Sequence, residues 1–258
     1  MKLFLLLLLL LVAQKTLSSE IVIDTTITGK DTFMVYTTYN EDGNVVKVDR
    51  YKNWELHGVQ EEFYENGNII SRIVYENNCP IDTLFSFYKD NSLRRVTPYY
   101  NCEIHGHSIR LAPDGDTLAA NEYRDGQLIG VHKLFFENNK LWRIDTYNNE
   151  GQRHGLRETW REDGTRKDSI VYDNGEIIEL RTYFLNGKVR NWTRVKDGRQ
   201  DSVIFYDPEG NITGKIENGS GKAIRYSEDT TIRWFEVFED GFRIDSRELE
   251  PGENPSLD

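Results

Sequence analysis

The chain has 258 residues, 38% of them hydrophobic and 29% charged, with 32 basic against 43 acidic side chains and a formal net charge of −11. That balance excludes wholesale disorder and fits a soluble, folded chain of one large or two small domains. The negative field opposes phosphate backbones and anionic headgroups, so no nucleic acid and no anionic membrane is expected as a partner.

At the N-terminus, Lys2 precedes an apolar run from Leu3 to Ala13, and "QKTLSSE" follows with the small residues Thr16 and Ser18. The run is 11 residues, short of the ~20 that a membrane-spanning helix needs. Residues 1–18 therefore read as a cleaved secretory signal, and the expected location is secreted or periplasmic. The first cysteine is Cys79, so no thiol near the cleavage region takes a lipid. Cleavage leaves 30 basic against 43 acidic residues, a net −13. Residues 19–38, with "EIVIDTTITGKDTFMVY", read as N-terminal capping strands.

From Tyr39 to Asp245 the chain is periodic. "YKNWELHG" (Tyr51 to Gly58) recurs as "YENNCPID", "YYNCEIHG", "YRDGQLIG", "YNNEGQRHG" and "YDNGEIIE". Its glycines Gly58, Gly106, Gly130 and Gly155 are 48, 24 and 25 residues apart, a period near 24. Half a period away lies a second turn, an aromatic or apolar residue followed by polar residues and then Gly43, Gly67, Asn91, Gly115, Asn139, Gly164, Gly187 or Gly210. Gly and Asn tolerate positive φ, so both glycine series are expected at the corners of hairpins. Between them run segments such as "NIISRIVY" and "KLWRIDTY", rich in β-branched and aromatic residues. Strand, turn, strand and turn fill one period, so the expected architecture is all-β: hairpin repeats in an elongated meander or single-sheet solenoid over residues 39–245. Residues 246–258 read as a polar tail that frays.

The alternation of Y-x-x-G-x-x-x-G with an aromatic-x-x-N-G turn resembles the bacterial variant of the MORN repeat, as in the YwqK family of antitoxin-like proteins. Asn91 and Asn139 stand in for turn glycines, Asp82 and Glu179 for the second glycine, and the units after Gly187 are degenerate. The resemblance implies hairpin repeats that serve as interaction or scaffolding surfaces. It supplies no catalytic residue, because its motif defines turns.

Several side chains invite chemistry. His57, His105 and His154 precede equivalent glycines; with strands ~4.8 Å apart, histidines two units apart sit ~20 Å apart and cannot share one ion. They read as polar turn residues, and no metal or cofactor is expected. Cys79 and Cys102 are the only cysteines, 23 residues apart in adjacent repeats. Export permits a bridge, whereas a one-unit offset of ~10 Å opposes it, and both states remain open. Acidic pairs such as Glu61 with Glu62 and Glu162 with Asp163 fit solvated strand and turn positions better than a cleft of two carboxyls ~5 to 9.5 Å apart. The recurring aromatics read as core ladders. Trp54 and Trp192 fall outside that pattern and are candidate exposed contacts.

The function expected from this pattern is a non-enzymatic exported protein presenting an extended β surface to an unknown protein or envelope component. An antidote neutralising a toxin, and a carbohydrate-binding or carbohydrate-active protein, are the alternatives.

Overall fold

The computed structural model describes residues 20–257; the expected signal over residues 1–18 lies outside the described residues. Among the described residues the chain is strand and turn without helix. A 22-stranded antiparallel sheet runs from the edge strand Glu20–Thr28 to the edge strand Phe242–Glu248, each strand pairing with its neighbours in sequence. The sheet is open, a meander of hairpins as the spacing predicts. A short pair, Tyr99–Tyr100 with Glu103–Ile104, continues the hairpin of Leu93–Thr97 and Gly106–Leu111. The break falls at Pro98, which has no N–H to give to a ladder.

Two turn types alternate. Along one side of the sheet, two-residue loops have both residues at positive φ: Asn53/Trp54, Asn77/Asn78, Asn101/Cys102, Asp125/Gly126 and Asn174/Gly175 among them. This is the type I′ turn, whose twist matches that of the flanking strands. Along the other side, the loops at Gly43, Gly67, Gly115 and Gly164 close with an i to i+3 bond, for example from Gly67 N–H to Tyr64 C=O at 2.8 Å. The glycine or asparagine that follows is left-handed, the type I turn with a bulge that suits three-residue hairpins.

Gly58, Gly106, Gly130 and Gly155 are not at corners, which corrects the expectation from spacing. They lie at the start of a strand or, for Gly130, within one, at bulges that follow a type I′ loop before Gly58, Gly106 and Gly130 and a three-residue loop over residues 148–151 before Gly155. Tyr51 pairs with Leu56, but three residues back Val48 pairs with Glu61, so the returning strand carries two extra residues. The glycine supplies the left-handed step of the bulge, with φ between 63° and 101°. Each sits opposite the opening tyrosine of the next unit: Gly58 faces Tyr75, Gly106 faces Tyr123, Gly130 faces Tyr147 and Gly155 faces Tyr172. A position without a side chain leaves room for the neighbouring ring, which is why Tyr and Gly recur together. Where the ladder is interrupted a side chain takes over. Gln60 Oε1 accepts from Arg50 N–H at 2.7 Å, and its Nε2 donates to Arg50 C=O at 2.9 Å.

The bulge fades along the chain. It adds one residue between Val171 and Tyr172 and none in the hairpin of Ile212–Glu217 with Ser220–Tyr226. The degenerate units hold the apolar core: Val203, Phe205, Ile216 and Ala223, with Phe238 packed on them. Phe205 and Phe238 stack with centroids 6.4 Å apart, beside Gly214 and Gly221 respectively. The aromatic ladders also tie hairpins together, since Tyr64 Oη donates to Phe87 C=O at 3.0 Å and Tyr88 Oη to Leu111 C=O at 2.8 Å. At the start of the C-terminal tail Leu249 is buried, its N–H donating to Arg233 C=O at 2.9 Å.

A Cβ at residue 155 would lie 2.9 Å from Thr146 Oγ1 in a left-handed backbone at φ 86°. Gly155→Ala is expected to destabilise the fold by about 1–2 kcal/mol, the cost of an L-residue in that region; chemical denaturation measures it.

Candidate functional site

The central repeats bury a polar seam. Two residues after each bulge glycine stand Ser108, His132 and Arg157, and their neighbours across the ladder are Asn121 and Asp145. Thr97 Oγ1 and Ser108 Oγ are 3.2 Å apart at the start of the seam, and Ser108 donates to Val96 C=O at 3.1 Å. Cross-strand partners share one face of a sheet, so these side chains form a continuous row.

Asp145 is the centre of the seam, only 1% exposed. Arg143 reaches both of its oxygens, at 2.7 Å and 2.5 Å. Arg153 and Arg157 stand 3.8 Å and 4.0 Å from Oδ1. On the other side His132 is paired with Asp145 across the ladder, and burial lowers the pKa of its imidazole more than the Asp145 charge raises it. The Nδ1 of His132 and the Oδ1 of Asn121 are buried without a hydrogen-bond partner. A second buried acid, Glu236, accepts from Arg225 Nε at 3.1 Å on both oxygens and from Arg243 at 2.9 Å. Both clusters join an acid on one strand to arginines on its own or adjacent strands. Chemically the seam is an ion-pair network that fixes register.

The seam escaped the sequence reading because its members share no residue type. Its signal was positional, a polar residue two places after Gly106, Gly130 and Gly155 where an apolar core residue would ordinarily sit.

The histidines do not converge. His105 Nδ1 lies 3.2 Å from Asp125 and His154 Nδ1 3.4 Å from Asp173, each at the rim of the next type I′ loop. The Nδ1 of His57 is buried without a partner, and Ile129 fills the matching place before Gly130. Among the described residues no group of three or more His, Cys, Asp or Glu is placed to hold a metal ion. Glu61 pairs with Arg50 at 3.2 Å and Arg72 at 3.8 Å, while Glu62 accepts from Ser71 at 3.4 Å. Asp163 accepts from the Thr165 backbone and hydroxyl at 2.8 Å and 2.6 Å. Glu61 and Glu62 border one shallow depression with Lys47 and Asp49, and Arg50, Arg72 and Ser71 engage them.

Cys79 and Cys102 are joined, with Cα atoms 4.7 Å apart. Counting whole repeats overstated their separation. Cys79 begins the strand after one type I′ loop, Cys102 is the second residue of the next such loop, and the register that pairs Leu84 with Thr97 continues to set them opposite each other. They lie one strand spacing apart rather than one repeat apart.

The tryptophans differ. Trp54 is 74% exposed and occupies a left-handed position, φ 73°, where Asn78 and several glycines stand in other loops. Trp192 is half-buried instead of exposed, with Arg181 and Arg194 over its ring at 5.1 Å and 4.9 Å. Those guanidinium groups cover the aromatic surface through cation–π contacts, which removes Trp192 from the expected contacts.

The family comparison agrees with this geometry. The family described as the MORN repeat variant matches residues 56–77 and 128–149. Each matched segment holds one bulge glycine, one three-residue turn and the returning strand, so these parts of the chain are similar to that repeat. A crystal structure of a porin-like protein from Bacteroides uniformis is 11% identical, covering 90% of this chain and 93% of that one, with a TM-score of 0.20. No curated protein matches the chain.

Removing one partner of a buried ion pair leaves uncompensated charge, so Asp145→Asn is expected to destabilise by about 3 kcal/mol in equilibrium unfolding. His132 has a folded pKa below its ordinary value of 6.5. The unfolded chain therefore binds the proton first, and the contribution of the neutral imidazole is complete above pH 6.5 and lost as pH falls below it. Unfolding midpoints measured across that window are expected to fall more steeply for the parent chain than for His132→Gln.

Proposed function

We propose that the chain is an exported, non-enzymatic repeat protein presenting an extended β surface to a protein or cell-envelope partner. The carrying observation is the reversed polarity of the central repeats. Phe85, Ile109, Val131, Trp142 and Leu156 are between 37% and 44% exposed. They lie on the face opposite the buried seam, in or beside the row that runs from Phe85 through Val96, Ile109, Ala120, Lys133 and Ile144 to Glu158. An exposed apolar row over a buried polar one is the arrangement of a surface kept for contact. Trp54 supports the same reading, since a bulky residue in a left-handed backbone is destabilising and gains little from packing when it is exposed. Export rests on the apolar run at the N-terminus.

The net charge of −11 favours a basic partner. An antidote bound to a basic toxin is the second reading, tested by whether a neighbouring gene product is toxic without this chain.

Capture from the native envelope fraction tests the proposal. Trp54→Gly is expected to raise stability by about 1 kcal/mol through relief of the left-handed strain, while Trp54→Gly and Trp142→Ser both reduce capture of the specific partner. Capture unchanged by both substitutions, or turnover of a defined substrate by the purified chain, overturns it.

A further inference from the structure

The two edges of the sheet are built differently. The last strand, Phe242–Glu248, alternates Arg243, Asp245 and Arg247 along an exposed edge, and Arg247 is tied to Glu253 of the tail at 2.6 Å. Charges along an edge discourage further pairing. The first strand, Glu20–Thr28, is nine residues long, exposed throughout, and has Asp24 as its single interior charge. It pairs with Asp31–Tyr39 alone among the described strands.

The hairpin geometry shows what this edge offers. The two-residue loop Gly29–Lys30 makes Thr28 and Asp31 a hydrogen-bonded pair. By alternation Thr26, Asp24 and Val22 direct their backbone groups toward the neighbouring strand. Ile21, Ile23, Thr25 and Ile27 direct theirs outward, and their side chains share one face. Ile21, Ile23 and Ile27 are 57%, 52% and 72% exposed.

We propose that this edge pairs with the same edge of a second copy, antiparallel about a two-fold axis at Thr25. The register follows from charge. Centring on Asp24 would set the two Asp24 carboxylates face to face, whereas centring on Thr25 sets Asp24 against Thr26. It also pairs Ile23 with Ile27 twice and places Glu20 of each copy opposite Lys30 of the other. Lys30 is exposed and is the only cation between Glu20 and Val46. The contact is isologous and closed, so it ends at a dimer. It does not depend on the face proposed above for a foreign partner.

Sedimentation equilibrium of the purified full chain, as processed by the cell, over a wide concentration range tests this. A concentration-dependent dimer is expected. Thr25→Pro removes an outward N–H that no intrachain bond uses, a substitution tolerated at an open edge, and is expected to weaken the dimer at least about tenfold through two lost hydrogen bonds. Thr25→Val, which keeps the N–H, retains it. Glu20→Lys and Lys30→Glu are each expected to weaken association a few-fold, and the double exchange to restore it, a readout independent of the proline variant. A chain that stays monomeric, a dimer indifferent to Thr25→Pro, assembly beyond a dimer, or a double exchange that fails to restore association overturns the proposal.

Discussion

Through its N-terminal and central repeats the sheet has no opposing layer against which to bury side chains, and most of this structure follows from that constraint. Toward the C-terminus it curls onto itself, where Arg161 and Leu185 reach Glu228 and Phe184 meets Tyr226. In the uncurled part each strand must gain its stability from the two strands beside it, through the backbone ladder and through cross-strand side-chain pairs. The tyrosine of one unit therefore packs at the glycine of the unit before, as Tyr172 does at Gly155. Tyrosine hydroxyls at the wide turns reach the carbonyls of the following hairpin. The aromatic position and the glycine position in the repeat are thus one interaction divided between successive units.

The same constraint explains the charged interior. Without a thick apolar core, the central repeats bury Asp145 and surround it with Arg143, Arg153 and Arg157. A buried acid tolerates no shift of register, because a slip of one residue would carry it to the other face and leave its arginines behind. Where the bulge disappears, an apolar cluster around Val203 and Ile216 takes over the same face. The chain thus holds one sheet together by two means, ionic around Asp145 and again around Glu236, and apolar around Val203 and Ile216 between them.

How much of this was legible in the sequence follows from which residues repeat. Glycine and asparagine spacing predicted the all-β meander and located the wide turns, because left-handed backbone restricts residue choice strongly. It misassigned Gly58, Gly106, Gly130 and Gly155, since a bulge and a turn place the same demand on φ and a sequence does not distinguish them. The seam was invisible for the opposite reason: Ser108, His132 and Arg157 occupy equivalent places with no common chemistry. Trp192 was misjudged because its cover comes from Arg181 on the neighbouring strand, a partner that pairing alone reveals.

The bridge between Cys79 and Cys102 gives the sheet a mechanical asymmetry. Hairpins in a meander peel one at a time from an end, since each is held by its neighbour. Tension on the N-terminal side therefore unzips strands in order until it reaches Cys79. There the load passes through a covalent bond to Cys102, and the chain between them is withheld from extension. With the bridge reduced, the strands between the two cysteines would extend in their turn as well. The disulfide thus shortens the extensible chain by the segment it spans and delivers the load directly to the strand that follows Cys102, so one unit of a structure that otherwise yields strand by strand is held out of the sequence of unfolding.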